Sequence, residues 1–264
     1  MNTIKEKITA IRTNGYQLDF GTVFEHAFEN YKKIAVYAGL MLLVFTILLL
    51  IILFTVIIYY VGIENLEGFG EKLKQFSTLK TMPLDIAIPL NGGLILFSAL
   101  INPFMAGFLK MADSGEKGEE FHVSTMFTYY KLPYFLNIFS AVFLITFVST
   151  ALSVLLEYAG FSFMGTLISM VISILTVLTI PLLIFGNLNA FEAIKSSITV
   201  VSKQPLVILG LIIVAAIGSV LGIFGFCIGI FFTLPFMYSM NYVIYKTIIG
   251  FDSASEIEET EPSL

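Results

Sequence analysis

Charged residues are scarce in this sequence and are absent from five long stretches. They make up 12% of the chain, against about 25% in an average soluble domain, while 57% of the residues are hydrophobic. Crossing about 30 Å of hydrocarbon takes roughly 20 apolar residues, so each stretch is long enough to span a bilayer. The stretches without Asp, Glu, Lys, Arg or His are residues 34–63, 86–109, 132–156, 158–191 and 204–245. The composition therefore predicts a polytopic membrane protein.

Side chains that carry chemistry are also few. A single cysteine, Cys227, excludes a disulfide within the chain and a thiolate metal cluster. The only histidines, His26 and His122, have no carboxylate at a metal-ligand spacing such as HExxH. Proton relays, voltage sensors and most ion-coupled carriers keep an ionisable residue at membrane depth, and these stretches contain none. We therefore expect no catalytic residue, no cofactor and no metal, and no basic patch indicates nucleic-acid binding.

The uncharged stretches predict six transmembrane helices. The last stretch is too long for one helix, and the glycines between Gly218 and Gly229 predict a turn within it. The predicted spans are residues 34–61, 86–109, 134–156, 164–186, 204–222 and 227–246. Together they form an all-α membrane domain over residues 18–250, after a cytoplasmic N-terminal segment at 1–17. Residues 251–264 are acidic, and after Phe251 they contain no aromatic residue, which predicts a disordered tail.

The positions of Lys and Arg predict the orientation of the chain. Positive residues are enriched on the cytoplasmic side of membrane proteins, whereas acidic residues contribute little. No signal peptide is visible, and the first apolar stretch is long enough to stay as an anchor. We therefore expect a multi-pass protein of the cell (inner, cytoplasmic) membrane with both termini in the cytoplasm. Eleven positive residues fall on the predicted cytoplasmic side, and only Lys72, Lys74 and Lys80 fall on the other.

An internal repeat divides the predicted membrane domain into three hairpins. Each even-numbered span contains a proline followed by two bulky apolar residues, at Pro103, Pro181 and Pro235. An amphipathic stretch ending in lysine precedes each odd-numbered span. Such stretches form helices that lie flat at the headgroups with their basic residues toward the phosphates. The unit is thus a cytoplasmic interfacial amphipathic helix, a span going out and a proline-bearing span coming back.

The repeated prolines have two interpretations. Each proline removes the hydrogen bond to the carbonyl four residues earlier and bends its helix, so that carbonyl needs another donor inside the membrane. In one interpretation, three kinked helices converge on a cavity lined by these carbonyls. In the other, the prolines are packing joints kept by duplication, which we favour because prolines are common in membrane helices. The neighbouring side chains placed to help are Asn102, Thr179 and Thr233.

The sequence resembles a known group of membrane proteins at several of these motifs. The matching stretches are LDFGTVFEHAFENYKK before the first span, a Gly118–Glu119 loop followed by Phe121, AFEAIKSSITVVSKQP before a later span, and proline–aromatic pairs in the returning helices. These are similar to the YciC-like group, which also covers the membrane domain attached to some bacterial glycerophosphodiester phosphodiesterases. The resemblance covers residues 18 to about 250. It implies a six-span bacterial inner-membrane protein without a catalytic signature.

These observations lead to a preferred function and two alternatives. We expect a non-enzymatic integral membrane protein, an interaction or membrane-homeostasis component. Its partners are membrane lipids, with a protein partner or a homo-oligomer left open. The first alternative is a permease or lipid-handling transporter that uses a cavity among the proline-kinked helices. The second, an intramembrane enzyme, requires a nucleophile–base pair or a metal pair within reach across the spans, and His26 and His122 close together beside a carboxylate would support it.

Overall fold

The described part of the chain folds entirely into helices. The computed structural model describes residues 4–65, 67–68, 70–71, 74, 82–225 and 228–250, and no β-strand occurs among them. The predicted acidic tail at 251–264 lies outside these residues. Three 3₁₀ helices are at Ile63–Asn65, Val123–Tyr130 and Leu221–Phe224. The α-helices are α1 (Ile4–Asn14), α2 (Phe20–Val61), α3 (Leu84–Lys117), α4 (Tyr134–Tyr158), α5 (Ser162–Leu175), α6 (Thr179–Ile184), α7 (Ala190–Val201), α8 (Pro205–Val220), α9 (Gly229–Thr233) and α10 (Pro235–Ile248).

Among the described residues, five helical stretches are long and apolar enough to cross a membrane. They are Phe20–Val61, Leu84–Lys117, Tyr134–Tyr158, Ser162–Ile184 and Pro205–Phe224. Such a set is typical of a multi-pass membrane protein, as the composition predicts. The sixth predicted span, 227–246, is divided at Leu234 into the short helix α9 and the helix α10. Six spans therefore remain a prediction.

The first predicted interfacial helix is not a separate element. Asp19 caps α2 by accepting a hydrogen bond from the Thr22 backbone N–H at 2.7 Å, and the helix then continues for 42 residues to Val61. No glycine or proline occurs between Val23 and Ala38, so nothing interrupts the helical hydrogen bonds where the stretch meets the first span. The prediction of a separate helix is wrong here. The second stretch forms the 3₁₀ helix Val123–Tyr130, and the third forms α7.

The three prolines affect their helices differently. Helix α3 runs through Pro103 without a break. Before Pro181 the chain leaves the helix between Leu175 and Thr179, so the fourth predicted span consists of α5 and α6. Pro235 occupies the first position of α10, where a proline lacks only an N–H that would have no helical partner anyway. Two of the three prolines thus mark breaks in the helix, and the third does not.

The N-terminal segment docks against α7. Helix α1 buries Ile4 and Ile11, and Lys5 Nζ lies 2.7 Å from Glu192 Oε1 on α7. The connection between α1 and α2 is held by the Gln204 side chain, which donates to Tyr16 O at 2.6 Å and accepts from the Leu18 backbone N–H at 3.2 Å. Residues 4–18 are therefore an ordered part of the fold.

The buried core lies at one end of the helix assembly. It combines the N-terminal half of α2 with the part of α3 after Pro103, together with α6, α7 and α10. Gly107 allows one of these contacts, because a Cβ there would lie 2.7 Å from Met126 Cα. In contrast, residues 46–61 of α2 expose apolar side chains on all faces of the helix. Water would disfavour such a surface, whereas lipid tails are as apolar as the side chains.

Candidate functional site

A group of polar and charged side chains joins α2, α3 and α10 at the buried end of the assembly. We call this group the polar cluster. Its α3 members begin at residue 110, directly after the uncharged stretch 86–109. Its members are His26 and Asn30 on α2, Lys110, Asp113, Glu116 and Lys117 on α3, and Ser239, Tyr242 and Lys246 on α10.

Asp113 is the most buried carboxylate of the polar cluster. Its side chain is 2% exposed, and Lys110 Nζ and Lys117 Nζ lie 2.8 and 3.3 Å from its Oδ2 atom. The helical spacings of three and four residues bring both lysines to the same carboxylate. Tyr242 on α10 donates its hydroxyl to Oδ1 at 3.1 Å. A buried carboxylate needs such partners, so Asp113 holds α10 against α3.

Glu116 receives donors from the two other helices. Lys246 Nζ lies 2.9 Å from Oε1, and His26 Nε2 lies 2.8 and 2.9 Å from the two carboxylate oxygens. Asn30 donates to Oε2 at 3.3 Å. Burial raises the pKa of Glu116, but the hydrogen bonds and charges of Lys246 and His26 outweigh it and lower the pKa to about 2. Glu116 is therefore ionised at neutral pH and is not a proton donor there.

Asn30 completes the connection between the three helices. Its amide nitrogen donates to Ala112 O on α3 at 2.8 Å, and its amide oxygen accepts from Ser239 Oγ on α10 at 2.8 Å. The residue is 1% exposed, so both hydrogen bonds are shielded from solvent. A fully bonded polar side chain of this kind specifies how the helices pack.

The sequence contains a signal for the polar cluster, but it lies just outside the uncharged stretches. Lys110, Asp113, Glu116 and Lys117 recur at spacings of three and four, which places all four along one side of α3. His26 and Asn30 are four residues apart on α2 in the same way. What the sequence did not indicate is that α3 continues beyond its apolar stretch and faces α2 and α10.

The structure buries all three prolines singled out in the sequence. Pro103, Pro181 and Pro235 are all buried, and their helices α3, α6 and α10 contact one another pairwise. The apolar residues after them are closely packed, with Phe104 2% and Leu182 0% exposed. The three proline-bearing helices therefore contact one another, and the side chains that follow Pro103 and Pro181 are closely packed.

The candidate polar residues beside the prolines have different environments. Asn102 donates to Ser98 O at 2.9 Å within its own helix, rather than to the Ala99 carbonyl that Pro103 frees. Thr179 Oγ1 is buried and has no hydrogen-bond partner among the described residues. Thr233 donates to Ser219 O on α8 at 2.5 Å, so it connects α9 to the preceding helix.

Hydroxyl groups on the segments that follow α3 and α6 form hydrogen bonds with backbone groups near Pro103 and Pro181. Ser197 on α7 donates to Leu175 O at 2.8 Å and accepts from the Leu178 N–H at 3.1 Å, bridging the break between α5 and α6. Tyr130 donates to Leu100 O at 2.9 Å, one residue after the carbonyl that Pro103 frees. These partners come from the elements that follow each helix, and spacing alone did not reveal them.

Two cavities lie near these helices. The larger, of about 470 Å³, is between α3 and α4, and we call it the α3–α4 cavity. The second, of about 370 Å³, lies between α2, α8 and α10 beside Thr233 and Phe236. The walls of the α3–α4 cavity are Ala87, Ile88, Asn91, Gly92, Ile95, Leu96, Phe143, Phe147, Thr150, Ala151 and Val154.

The histidines form no metal site among the residues that the structure describes. No group of three or more His, Cys, Asp or Glu side chains there is arranged to hold a metal ion, and His26 is bonded to Glu116. Comparison with known proteins adds no relative: no family model, no curated protein and no solved structure matches this chain. Functional inference therefore depends on the polar cluster and the cavities.

Proposed function

We propose that this chain is a non-enzymatic integral protein of the inner (cytoplasmic) membrane that acts as an interaction or membrane-homeostasis component. The observation that carries this proposal is the mutual pairing of the ionisable side chains in the polar cluster. Asp113 and Glu116 are each bonded to cations of the same cluster, so their charges serve helix packing. General acid–base chemistry requires a group that titrates near the working pH, and a carboxyl with a pKa of about 2 does not.

The proposal includes six spans with both termini in the cytoplasm. Helices α9 and α10 together cover residues 229–248, and at 1.5 Å per residue they extend about 30 Å, the thickness of the hydrocarbon. Lys246, near the end of α10, and His26, near the start of α2, bind the same carboxylate. Because the start of α2 and the end of α10 lie at the same end of the helix assembly, an even number of spans fits the contacts.

Affinity purification of the full chain in lipid nanodiscs, after crosslinking in cells, tests this function. We expect a protein partner, a second copy or retained lipid to accompany the chain. The same preparation should show no hydrolytic activity toward phosphodiester or acyl ester substrates. A monomer that retains neither partner nor lipid would contradict the proposal, as would an esterase activity that survives purification.

A second candidate function, lipid handling, is favoured by the α3–α4 cavity. The described residues of its walls include no ionisable side chain and only two polar ones, Asn91 and Thr150. Hydrocarbon is compatible with such walls, whereas an ion or a sugar needs polar partners to replace its water. Transfer of a fluorescent phospholipid between leaflets of proteoliposomes tests it. Faster transfer than in protein-free vesicles supports lipid handling, and an unchanged rate argues against it.

A further inference from the structure

We propose that the α3–α4 cavity binds one acyl chain of a membrane phospholipid, with the ester group of that chain at Asn91 and Thr150. This inference names the ligand for the lipid-handling candidate and rests on it. Both helices that form the cavity are apolar enough to cross a membrane. The rim residues Ile88, Leu96 and Phe147 are exposed, so the cavity opens toward the lipid.

The dimensions of the cavity select a thin occupant. On α3 its walls run from Ala87 to Leu96, which at 1.5 Å per residue is about 14 Å. A volume of about 470 Å³ over that length corresponds to a cross-section of about 34 Å². An α-helix with its side chains is about 10–12 Å across, or roughly 80–110 Å². A helix from a second copy or a partner is too wide to enter the cavity and can only lie across its opening, whereas a single hydrocarbon chain fits inside and contacts both walls.

Small residues and an aromatic ladder give the cavity its shape. Ala87, Gly92 and Ala151 leave the space, and a Cβ added at Gly92 would meet nothing within 4 Å. Phe143 and Phe147 form part of the opposite wall, with their rings stacked 6.0 Å apart on α4. From the level of Asn91 and Thr150 to Leu96 and Phe143, these apolar walls provide contact for the methylene groups of the acyl chain.

A polar pair interrupts these walls at one level. Asn91 on α3 and Thr150 on α4 both line the cavity, and the order of the wall residues along the two helices places them opposite each other. Asn91 uses one amide N–H to donate to Ala87 O at 2.8 Å, which leaves the other N–H for a ligand. Thr150 adds a hydroxyl group, which can donate a hydrogen bond, at the same level. An ester carbonyl accepts from both donors, and polar groups inside hydrocarbon need such a partner.

Photolabelling of the full chain in nanodiscs tests the inference. The probe is a phosphatidylethanolamine that carries a diazirine near the ester end of one acyl chain, and labelled peptides are mapped by mass spectrometry. We expect labelling concentrated on residues 87–96 and 143–154. Residues 46–61 of α2, an exposed apolar helical segment that does not line the α3–α4 cavity, serve as the internal reference.

Two neighbouring glycines provide a matched pair of variants. Gly92 lines the cavity and Gly93 does not, and a Cβ added at either meets nothing within 4 Å. Gly92→Leu should lower labelling of the cavity peptides about tenfold, whereas Gly93→Leu should leave it within about twofold of the wild type. Ala151→Leu fills the cavity from the opposite wall and should act like Gly92→Leu. Asn91→Leu combined with Thr150→Val should move the label away from the level of residues 91 and 150.

Each remaining outcome decides the question. Labelling that is equal in the cavity and on residues 46–61 of α2 overturns the inference, and so does an equal effect of Gly92→Leu and Gly93→Leu. Labelling by a diazirine derivative of free palmitate but not by the phospholipid also overturns it. Cavity labelling without accelerated lipid transfer supports this binding site while removing the lipid-handling function, so the two failures are distinguishable.

Discussion

Replacing Glu116 with glutamine removes the charge on which α2, α3 and α10 converge. The variant keeps the size of the side chain but leaves Lys246 without the carboxylate that it contacts at 2.9 Å. His26 loses the same partner. We expect Glu116→Gln to destabilise the bundle at neutral pH, because the partly buried Lys246 then lacks its counter-charge and His26 loses its hydrogen-bond partner.

The magnitude follows from the pKa of Glu116. A fall from 4.5 to about 2 corresponds to roughly 3 kcal/mol before screening by solvent. The side chains of Lys246 and His26 are 34% and 36% exposed, so solvent screens part of this interaction. We therefore expect a loss of about 1–2 kcal/mol. For a chain of this size that corresponds to a decrease in Tm of roughly 2–8 °C.

The pH dependence separates this charge effect from a general packing defect. The pKa of Glu116 is lower in the folded than in the unfolded protein, so the stabilisation is complete above about pH 4.5 and is lost as the pH falls toward 2. At about pH 3 less than half of it remains. The difference in Tm between Glu116→Gln and the wild type should shrink accordingly. Because the chain contains no Trp, unfolding is best followed by far-ultraviolet circular dichroism in nanodiscs.

A matched control uses the same chemical change at an exposed ion pair. Glu29 contacts Lys32 at 2.5 Å, and both side chains are more than half exposed. Glu29→Gln should change stability by less than about 0.5 kcal/mol at any of these pH values. If Glu116→Gln is as stable as the wild type at neutral pH, or if its deficit is the same at about pH 3, the reasoning about the polar cluster is refuted.

Three further predictions concern the helix breaks, the close contacts and the topology. Ser197→Ala leaves the Leu175 carbonyl and the Leu178 N–H without their partner and should lower the free energy of unfolding by about 2–3 kcal/mol. The adjacent Ser196→Ala should lower it by less than about 0.5 kcal/mol. Equal effects of the two variants in thermal unfolding would contradict the Ser197 bridge. Gly107→Ala forces a methyl group against the Met126 backbone and should cost about 1–3 kcal/mol, whereas Gly93→Ala has open space and should be neutral or stabilising by up to about 1 kcal/mol. Alkaline phosphatase should be active when fused after Gly160, between α4 and α5, and inactive when fused after Gly250, and the reverse pattern would refute the proposed orientation.

Local patterns explain which parts of the fold were predictable. The uncharged stretches indicate the five apolar helical stretches. In hydrocarbon no water is present, so a single spanning segment satisfies its backbone hydrogen bonds only by forming a helix. The breaks near Pro181 and Pro235 follow similarly from the missing N–H of proline. The unbroken path of α3 through Pro103 and of α2 through residue 34 was not predictable, since packing on both sides of each point decides it.

The sequence alone determined the medium, the helical class and the positions of most helices, because these depend on composition and on hydrogen bonds within short segments. Only the tertiary structure revealed the polar cluster, the Ser197 bridge and the α3–α4 cavity. His26, Asp113 and Lys246 are far apart in the chain, and whether a charge has a partner depends on which helices face each other. Small residues and a few polar contacts determine how helices pack in lipid. The pattern of apolar residues along the sequence contains little information about either.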